Sequence, residues 1–370
     1  MTRTMLWGVM ALSAAAAAAF ADGIPIVTNA LGTVTWVEYS PDPVYSPGKA
    51  YYPTVIEVGN TYMMWSEYTT DNSTGEQLAT SPDGVTWTTV GQVTGLLNPA
   101  HAVVEDIGGT YRMWYWNSDA TNLYTINTIR TATSTDGLNW NDDQAITQVG
   151  ATVIAGGASS AWNRGSYGPE DILYNPNGSP TLVAPVDAAS VWANKYVMYY
   201  DGATGSAEDM GLAVSNDGVN WEGYNGGVAP VLTNGALGTW DSGYVGYGAV
   251  IEVGPGEFDL YYSGGVGSVL NQGIGFATST NGIDWVKSAS NPIFSISDGV
   301  TWRDERTYTP MVIGNQMWFS GVGPDGYAIG YAQAELPEPA TFGAGLAALA
   351  LLLAGARVGP RQVRGCRSGG

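Results

Sequence analysis

The chemistry open to this chain rests on carboxylates and aromatic rings, because it holds one histidine, His101, and one cysteine, Cys366. In "SAWNRGSYGPEDI", Glu170 and Asp171 open an apolar strand after a long loop. A carboxyl group partly removed from water there has its pKa raised and can donate a proton, while a second carboxylate nearby can activate water. The matching segment "TWRDERTYTPMVI" brings Asp304 and Glu305 as candidates for that second role, beside Arg303 and Arg306. Asp241, which follows Trp240, is a weaker candidate for it. Tyr52, His101, Tyr247, Arg306 and Tyr308 fall at or near the same strand starts and are the candidate substrate-binding groups. Each also has a structural reading: Glu170-Asp171 as a charge pair, "RDER" as a salt-linked cluster, and a lone histidine as a satisfied core residue.

What must position these side chains is a repeat. "ATSPDGVTW" ending at Trp87 returns as "ATSTDGLNW" ending at Trp140, "AVSNDGVNW" at Trp221 and "ATSTNGIDW" at Trp285, with a degenerate "GTVTW" at Trp36. Asp or Asn accepts backbone N–H bonds inside such a turn, Gly supplies a positive φ, and Trp packs on the neighbouring unit. Before each turn stands an apolar strand, a Gly turn and an aromatic strand, as in "PAHAVVEDIGGTYRMWYW". Counterparts begin at Pro53, Glu170, Gly248 and Thr309, giving five hairpins. The last lacks a fourth strand, which the N-terminal "GTVTWVEY" can supply. The expected fold is all-β: a five-bladed β-propeller closed by an N-terminal strand.

"SDGVTW" at Trp302 suggests a sixth blade. Yet Trp162, Trp240 and Trp302 each stand ten residues before Ile172, Val250 and Val312, so they mark loops leading into blades. In this register His101, Glu170, Gly248 and Pro310 share one rim position of the central channel. Second-strand exits add Glu67, Asp71, Asn117, Asp119, Asp201 and Glu208 to that face, with Trp65, Trp114, Trp116, Tyr199 and Tyr200 nearby. Glu57, Glu105 and Asp106 fall at the opposite end, where solvated carboxylates are expected.

Gly contributes 51 of 370 residues and charged residues only 12%, which suits short strands and tight turns. At the N-terminus Arg3, an apolar run and Ala19-Phe20-Ala21 read as a signal peptide over residues 1–21, with an uncleaved membrane anchor as the alternative. At the C-terminus Pro337-Glu338-Pro339 precedes an apolar span, 340–356, and then Arg357, Arg361, Arg364 and Arg367. The span is just long enough for a transmembrane helix, with the arginines on the cytoplasmic side. With both ends set aside, 8 basic residues face 32 or 33 acidic ones, a balance that excludes binding to nucleic acid backbones. Cys366 lies in the tail, so the body carries no disulfide.

Two families resemble parts of this chain. The order of motif, span and basic tail over 335–370 resembles the PEP-CTERM sorting signal of Gram-negative bacteria. That resemblance implies an exosortase as processing partner, transient membrane contact through 340–356, and delivery to the cell surface or extracellular matrix. The repeated turn resembles a shortened Asp box. With the "YMMWSEY" and "FDLYYSGG" strands and the "TWDSGY" segment, about residues 32–334 of the propeller expected over 22–334 are similar to the five-bladed glycoside hydrolases that include arabinanases, xylosidases and invertase-like enzymes. This resemblance implies a polysaccharide or oligosaccharide partner and catalytic carboxylates at the channel mouth, with Glu170 as the acid and Asp171, Asp304 or Glu305 as the water-activating base. Tyr51-Tyr52-Pro53 stands where the family's first-blade Asp would be. A non-catalytic glycan- or protein-binding propeller is the alternative reading. No cofactor is expected; carboxylates and carbonyls in the channel are compatible with Ca²⁺, but no EF-hand-like loop is present.

Overall fold

The computed structural model describes the backbone of 26–28 and residues 35–335, apart from 70–73, 120–121, 123, 150–153, 159, 179–186, 205–206, 267–271 and 297–298. The expected signal peptide, the Pro337-Glu338-Pro339 motif, the apolar span 340–356 and the arginine tail lie outside the described residues. Among the described residues the regular structure is strand, interrupted only by short 3₁₀ turns. β1 (Ile26–Thr28) and β2 (Thr35–Glu38) come first. A first sheet holds β3 (Ala50–Val58), β4 (Thr61–Thr69), β5 (Thr74–Ser81) and β6 (Thr88–Gln92). The second holds β7 (Pro99–Asp106), β8 (Tyr111–Asn117), β9 (Ile129–Ser134) and β10 (Asn141–Ala145). After the short β11 (Thr147–Gln148) the third sheet has β12 (Pro169–Tyr174), β13 (Tyr196–Ala203), β14 (Glu208–Ser215) and β15 (Asn220–Gly223). The fourth has β16 (Tyr244–Gly254), β17 (Glu257–Gly265), β18 (Gln272–Ser279) and β19 (Val286–Lys287). A last sheet is formed by β20 (Arg306–Ile313), β21 (Gln316–Gly323) and β22 (Gly326–Glu335).

Each sheet is an antiparallel meander, and the last takes β2 as its fourth strand, with Thr35 opposite Glu335 and Glu38 opposite Ala332. The arrangement is all-β and propeller-like. Five buried apolar clusters lie between sheets rather than within them. Val103, Trp114 and Ile172 join the second sheet to the third, for example, and Val55, Met64, Met311 and Trp318 join the first to the last. Stability therefore depends on keeping neighbouring sheets face to face, since an isolated meander would leave two apolar faces in water.

The repeated turn supplies the polar part of that contact. Asp83 Oδ1 accepts the amides of Val85 (2.9 Å) and Thr86 (2.7 Å), and Ser81 Oγ accepts that of Gly84 (2.8 Å). Asp136, Asp217 and Asn281 do the same in their copies. These bonds turn the glycine carbonyl outward. Trp318 of β21 donates its indole N–H to Gly84 O, Trp65 to Gly137 O, and Trp114 to Gly218 O, each at 2.7 Å, while Tyr199 donates its hydroxyl to Gly282 O at 2.6 Å. Every such bond runs from one sheet to the turn of another. Where the fifth turn is missing, Trp36 of β2 packs edge-on against Tyr261 of the fourth sheet.

The lead-in tryptophans behave as the ten-residue spacing predicts. Trp162 lies over Gly202 and Gly211, Trp240 over Gly264 and Gly275, and Trp302 over Gly321 and Gly330, close enough that a Cβ on any of these glycines would collide with the ring. Arg303, beside Trp302, is fully buried and forms a bidentate pair with Glu38 of β2, Nη2 to Oε2 at 2.9 Å and Nε to Oε1 at 3.2 Å. It also donates to Thr307 Oγ1 and lies over Phe294 and Phe319. That pair holds the N-terminal strand to the last sheet. The expected solvation of Glu105 and Asp106 is overturned: both are buried, and Asp106 Oδ1 accepts the amide of Gly109 because the tight 106–109 turn folds its own acceptor inward.

Two stability measurements follow. Gly137 has φ +74°, and an added Cβ would sit 2.7 Å from the Trp65 ring. Gly137→Ala should destabilise the domain by about 1–3 kcal/mol for the backbone alone, plus the lost contact, in urea unfolding. Glu38→Ala leaves Arg303 buried without its anion and should cost about 3–5 kcal/mol. A loss under about 1 kcal/mol would mean the pair does not hold β2.

Candidate functional site

The first strand of every sheet breaks register at the same place. Pairing skips between Tyr51 and Thr54, Ala100 and Val103, Pro169 and Asp171, Gly246 and Ala249, and Tyr308 and Met311. At the break Tyr52, His101, Tyr247 and Thr309 adopt φ of 52°, 49°, 49° and 50°. Non-glycine residues rarely occupy this region, at a cost on the order of 1–3 kcal/mol each. The structure over-determines them: the Tyr52 amide donates to Ser320 Oγ (2.8 Å) and the Thr309 amide to Ser263 Oγ (2.7 Å), each on another sheet. These bulges aim Tyr52, His101, Glu170, Tyr247 and Thr309 at one central cavity. The expected rim register is corrected in two sheets, where Tyr247 and Thr309 take the place assigned to Gly248 and Pro310. An extra bulge residue shifts the count by one.

The cavity is small, about 40 Å³, hardly more than one water molecule. Aromatic rings close it. Tyr52 stacks on His101 with centroids 3.9 Å apart, and Tyr247 lies 5.2 Å from Tyr52 and 5.1 Å from His101. Beyond the cavity the rings continue as a row: Tyr327 to Tyr51 (4.4 Å), Tyr51 to Tyr52 (5.2 Å), His101 to Trp116 (5.2 Å) and Trp116 to Tyr167 (5.5 Å). All six residues other than His101 in this row and cavity wall keep part of their surface exposed, and so does His101.

Behind the rings lie carboxyl groups with few partners. Glu170 is 8% exposed, and no side chain bonds either of its oxygens. Gly246 makes room for it, since a Cβ there would stand 2.8 Å from Glu170 Oε1. Burial, then repulsion from Asp201, pushes the Glu170 pKa well up, with Glu208 and Asp171 adding to it and the Tyr247 amide opposing. The shift favours the protonated form of Glu170. Burial also raises Glu67 to about 7, despite the Tyr51 hydroxyl that donates to it, and raises Glu208 to about 7. Glu76, opposite Glu67 in the β4–β5 pairing, and Asp201 are pushed up by burial as well. Burial lowers His101 to about 3, so its ring is neutral and its 3.7 Å approach to Glu67 is no ion pair near neutral pH.

Of the expected site residues, Tyr52, His101, Glu170, Asp171 and Tyr247 line the cavity. Tyr308 packs on Tyr52 from behind at 5.5 Å, with Arg306 over it. Asp304 and Glu305 are exposed and do not line the cavity. Asp171 lines it, but its Oδ1 accepts the Ile172 amide (2.9 Å) and its Oδ2 the Val250 amide (2.7 Å), which ties the third sheet to the fourth. Asp241 is held by Lys287 Nζ at 2.5 Å. Glu76 escaped sequence reasoning, although its place across a short turn from Glu67 was a signal. Among the described residues no cluster of three His, Cys, Asp or Glu is arranged to hold a metal ion.

No family model matches the chain, and no curated protein matches it. Solved structures do match. A glycoside hydrolase covers 85% of this chain and 91% of its own with TM-score 0.56 at 14% identity. A glycosyl hydrolase from Bacteroides ovatus covers 80% and 86%, with TM-score 0.53 at 15% identity. The β-1,2-mannobiose phosphorylase from Listeria innocua covers 81% and 96%, with TM-score 0.53 at 12% identity. The chain shares a distant likeness of fold with these structures. At such identities the kinship concerns the fold alone.

The buried acids set a pH dependence. An unfolded glutamate ionises near 4.5, whereas Glu67 and Glu208 hold their protons to about 7, so the native state binds more protons in between. Stability contributed by these groups is complete below about pH 4.5 and is lost as pH rises to about 7, by up to about 1.4 kcal/mol per unit for each. His101 acts oppositely, since the unfolded ring gains a proton below 6.5 that the native one refuses until about 3, but it is a single group against several. The thermal midpoint should therefore fall from pH 5 to pH 7.5, and Glu67→Gln should flatten the curve. A midpoint that rises over this range contradicts the assignment.

Proposed function

We propose that the chain is an exported carbohydrate-binding protein, built on a closed five-bladed β-propeller over residues 22–334, that holds a polysaccharide or oligosaccharide across its mouth. The row of partly exposed rings from Tyr327 through Tyr51, Tyr52 and Trp116 to Tyr167 carries this reading. Aromatic faces stack on the apolar faces of sugar rings, and neutral carboxyl groups beside them can donate to and accept from hydroxyls. Closure is supported by the Tyr52 amide bond to Ser320 and the Trp318 bond to Gly84, which join the first sheet to the last. Kinship of fold with carbohydrate-active proteins supports the ligand class.

Export follows the same proposal: residues 1–21 are removed as a signal peptide, and 335–370 are read by an exosortase after transient membrane insertion through 340–356. The mature chain would then reside at the surface or in the extracellular matrix of a Gram-negative bacterium.

A hydrolytic reading draws on one observation, the burial of the Glu170 carboxyl, which favours its protonated form and suits a general acid. It requires a base 6.5–9.5 Å away for inversion. Asp171 is engaged by two amides, and Asp304 and Glu305 stand off the cavity, so binding without turnover is the better-supported function.

Glycan-array screening followed by titration calorimetry tests both readings. Trp116→Ala should weaken binding about threefold to tenfold, on the order of 0.5–1.5 kcal/mol, with no reducing ends released by the parent protein. Turnover that disappears in Glu170→Gln would establish the hydrolase instead.

A further inference from the structure

The mouth carries acids and rings, and among the described residues no lysine or arginine lines the central cavity; Arg306 sits over Tyr308 outside the lining. Glu170 lines this cavity, and no side chain bonds either of its oxygens. Asp201 and Glu208 stand close enough to repel any charge on Glu170, and Glu67 lies behind His101. Over the body 8 basic residues face 32 or 33 acidic ones, so the wider field draws cations in and repels anions.

On the binding reading above, we propose that the glycan is cationic: a protonated amine of an amino sugar enters the central cavity, with Glu170 as its anion and the Tyr52, His101 and Tyr247 rings as its walls. A cavity of about 40 Å³ admits an ammonium group but no sugar ring, so the sugar itself stays on the aromatic row outside. The three N–H donors of an ammonium satisfy both oxygens of a carboxylate, and aromatic faces attract cations at this range. A neutral hydroxyl would leave one Glu170 oxygen unsatisfied. An anionic sugar would meet four carboxyl groups. The proton balance is simple: burial favours the protonated form of Glu170 in the empty site, the incoming amine carries its own proton, and ionisation of Glu170 on binding releases its proton to the buffer. Asp201, Glu208, Asp171 and the Tyr247 amide are the groups that face this change.

The test is titration calorimetry of the full chain at pH 6 with a β-1,4-linked glucosamine tetramer and its fully N-acetylated counterpart. Two buffers of different ionisation enthalpy count the protons released. The glucosamine tetramer should bind at least about tenfold more tightly, as expected of a charge-assisted hydrogen bond, and release close to one proton. In Glu170→Gln the ratio between the two ligands should fall towards one and the proton release should vanish. Equal affinities, a preference for the N-acetylated tetramer, or no proton release by the parent protein would overturn the proposal. So would a ratio that survives in Glu170→Gln. If neutral glycans bind while the glucosamine tetramer does not, the cationic ligand is wrong and the carbohydrate reading stands. If no glycan binds at all, both fall together.

Discussion

A backbone carbonyl on a turn glycine, offered to an indole or phenol from the neighbouring sheet, is the bond on which the arrangement of sheets depends. The carbonyl faces outward only because Asp or Asn and Ser fold the turn's own amides inward, leaving that oxygen available. Glycine is required twice, for its positive φ and because the donor ring passes where a Cβ would be. Apolar burial between sheets supplies most of the free energy, but it is not directional. The carbonyl bonds fix how far one sheet slides on the next, and so fix where the strand starts meet.

That alignment allows the strand starts to be strained. Four residues with positive φ and several buried, sparsely bonded carboxyl groups are costly features, and they persist at one end of the sheets because the packing around them leaves no relaxed alternative. The opposite end consists of turns whose aspartates are pulled below their usual pKa by their own backbone bonds, Asp83 to about 2 among them. Carboxylates so placed are ionised, satisfied and structural. The contrast between satisfied acids at the turns and unsatisfied acids at the mouth separates scaffold from site more clearly than any count of acidic residues.

Much of this was legible in the chain. Five hairpins, four of them followed by the repeated turn, predict the number of meanders, the missing fourth strand predicts the pairing of β2, and the spacing from Trp162, Trp240 and Trp302 places the lead-in loops. Glu170 and His101 stand at a shared register position in the sequence, with Tyr52 and Tyr247 beside it. The bulges were not legible: an added residue leaves no mark in an alternation pattern already interrupted by Pro and Gly, and it displaced the expected register by one in two sheets. Asp304 and Glu305 looked equivalent to Glu170-Asp171 because both pairs precede a strand. The first pair, however, lies ahead of its bulge, on the exposed loop. Arg303 in the same segment turned inward because its anion, Glu38, arrives from the far end of the sequence, a contact that local pattern cannot reveal.

On the proposed function, the bulged strand starts form the working face and the repeated turns the scaffold. Hydrogen–deuterium exchange of the full chain, with and without a bound oligosaccharide, tests it most directly. Protection on binding should be confined to peptides covering Tyr51–Thr54, Ala100–Val103, Tyr167–Asp171 and Gly246–Gly248. Protection centred on the turns at 81–87, 134–140 or 215–221, with the strand starts unchanged, would contradict the account.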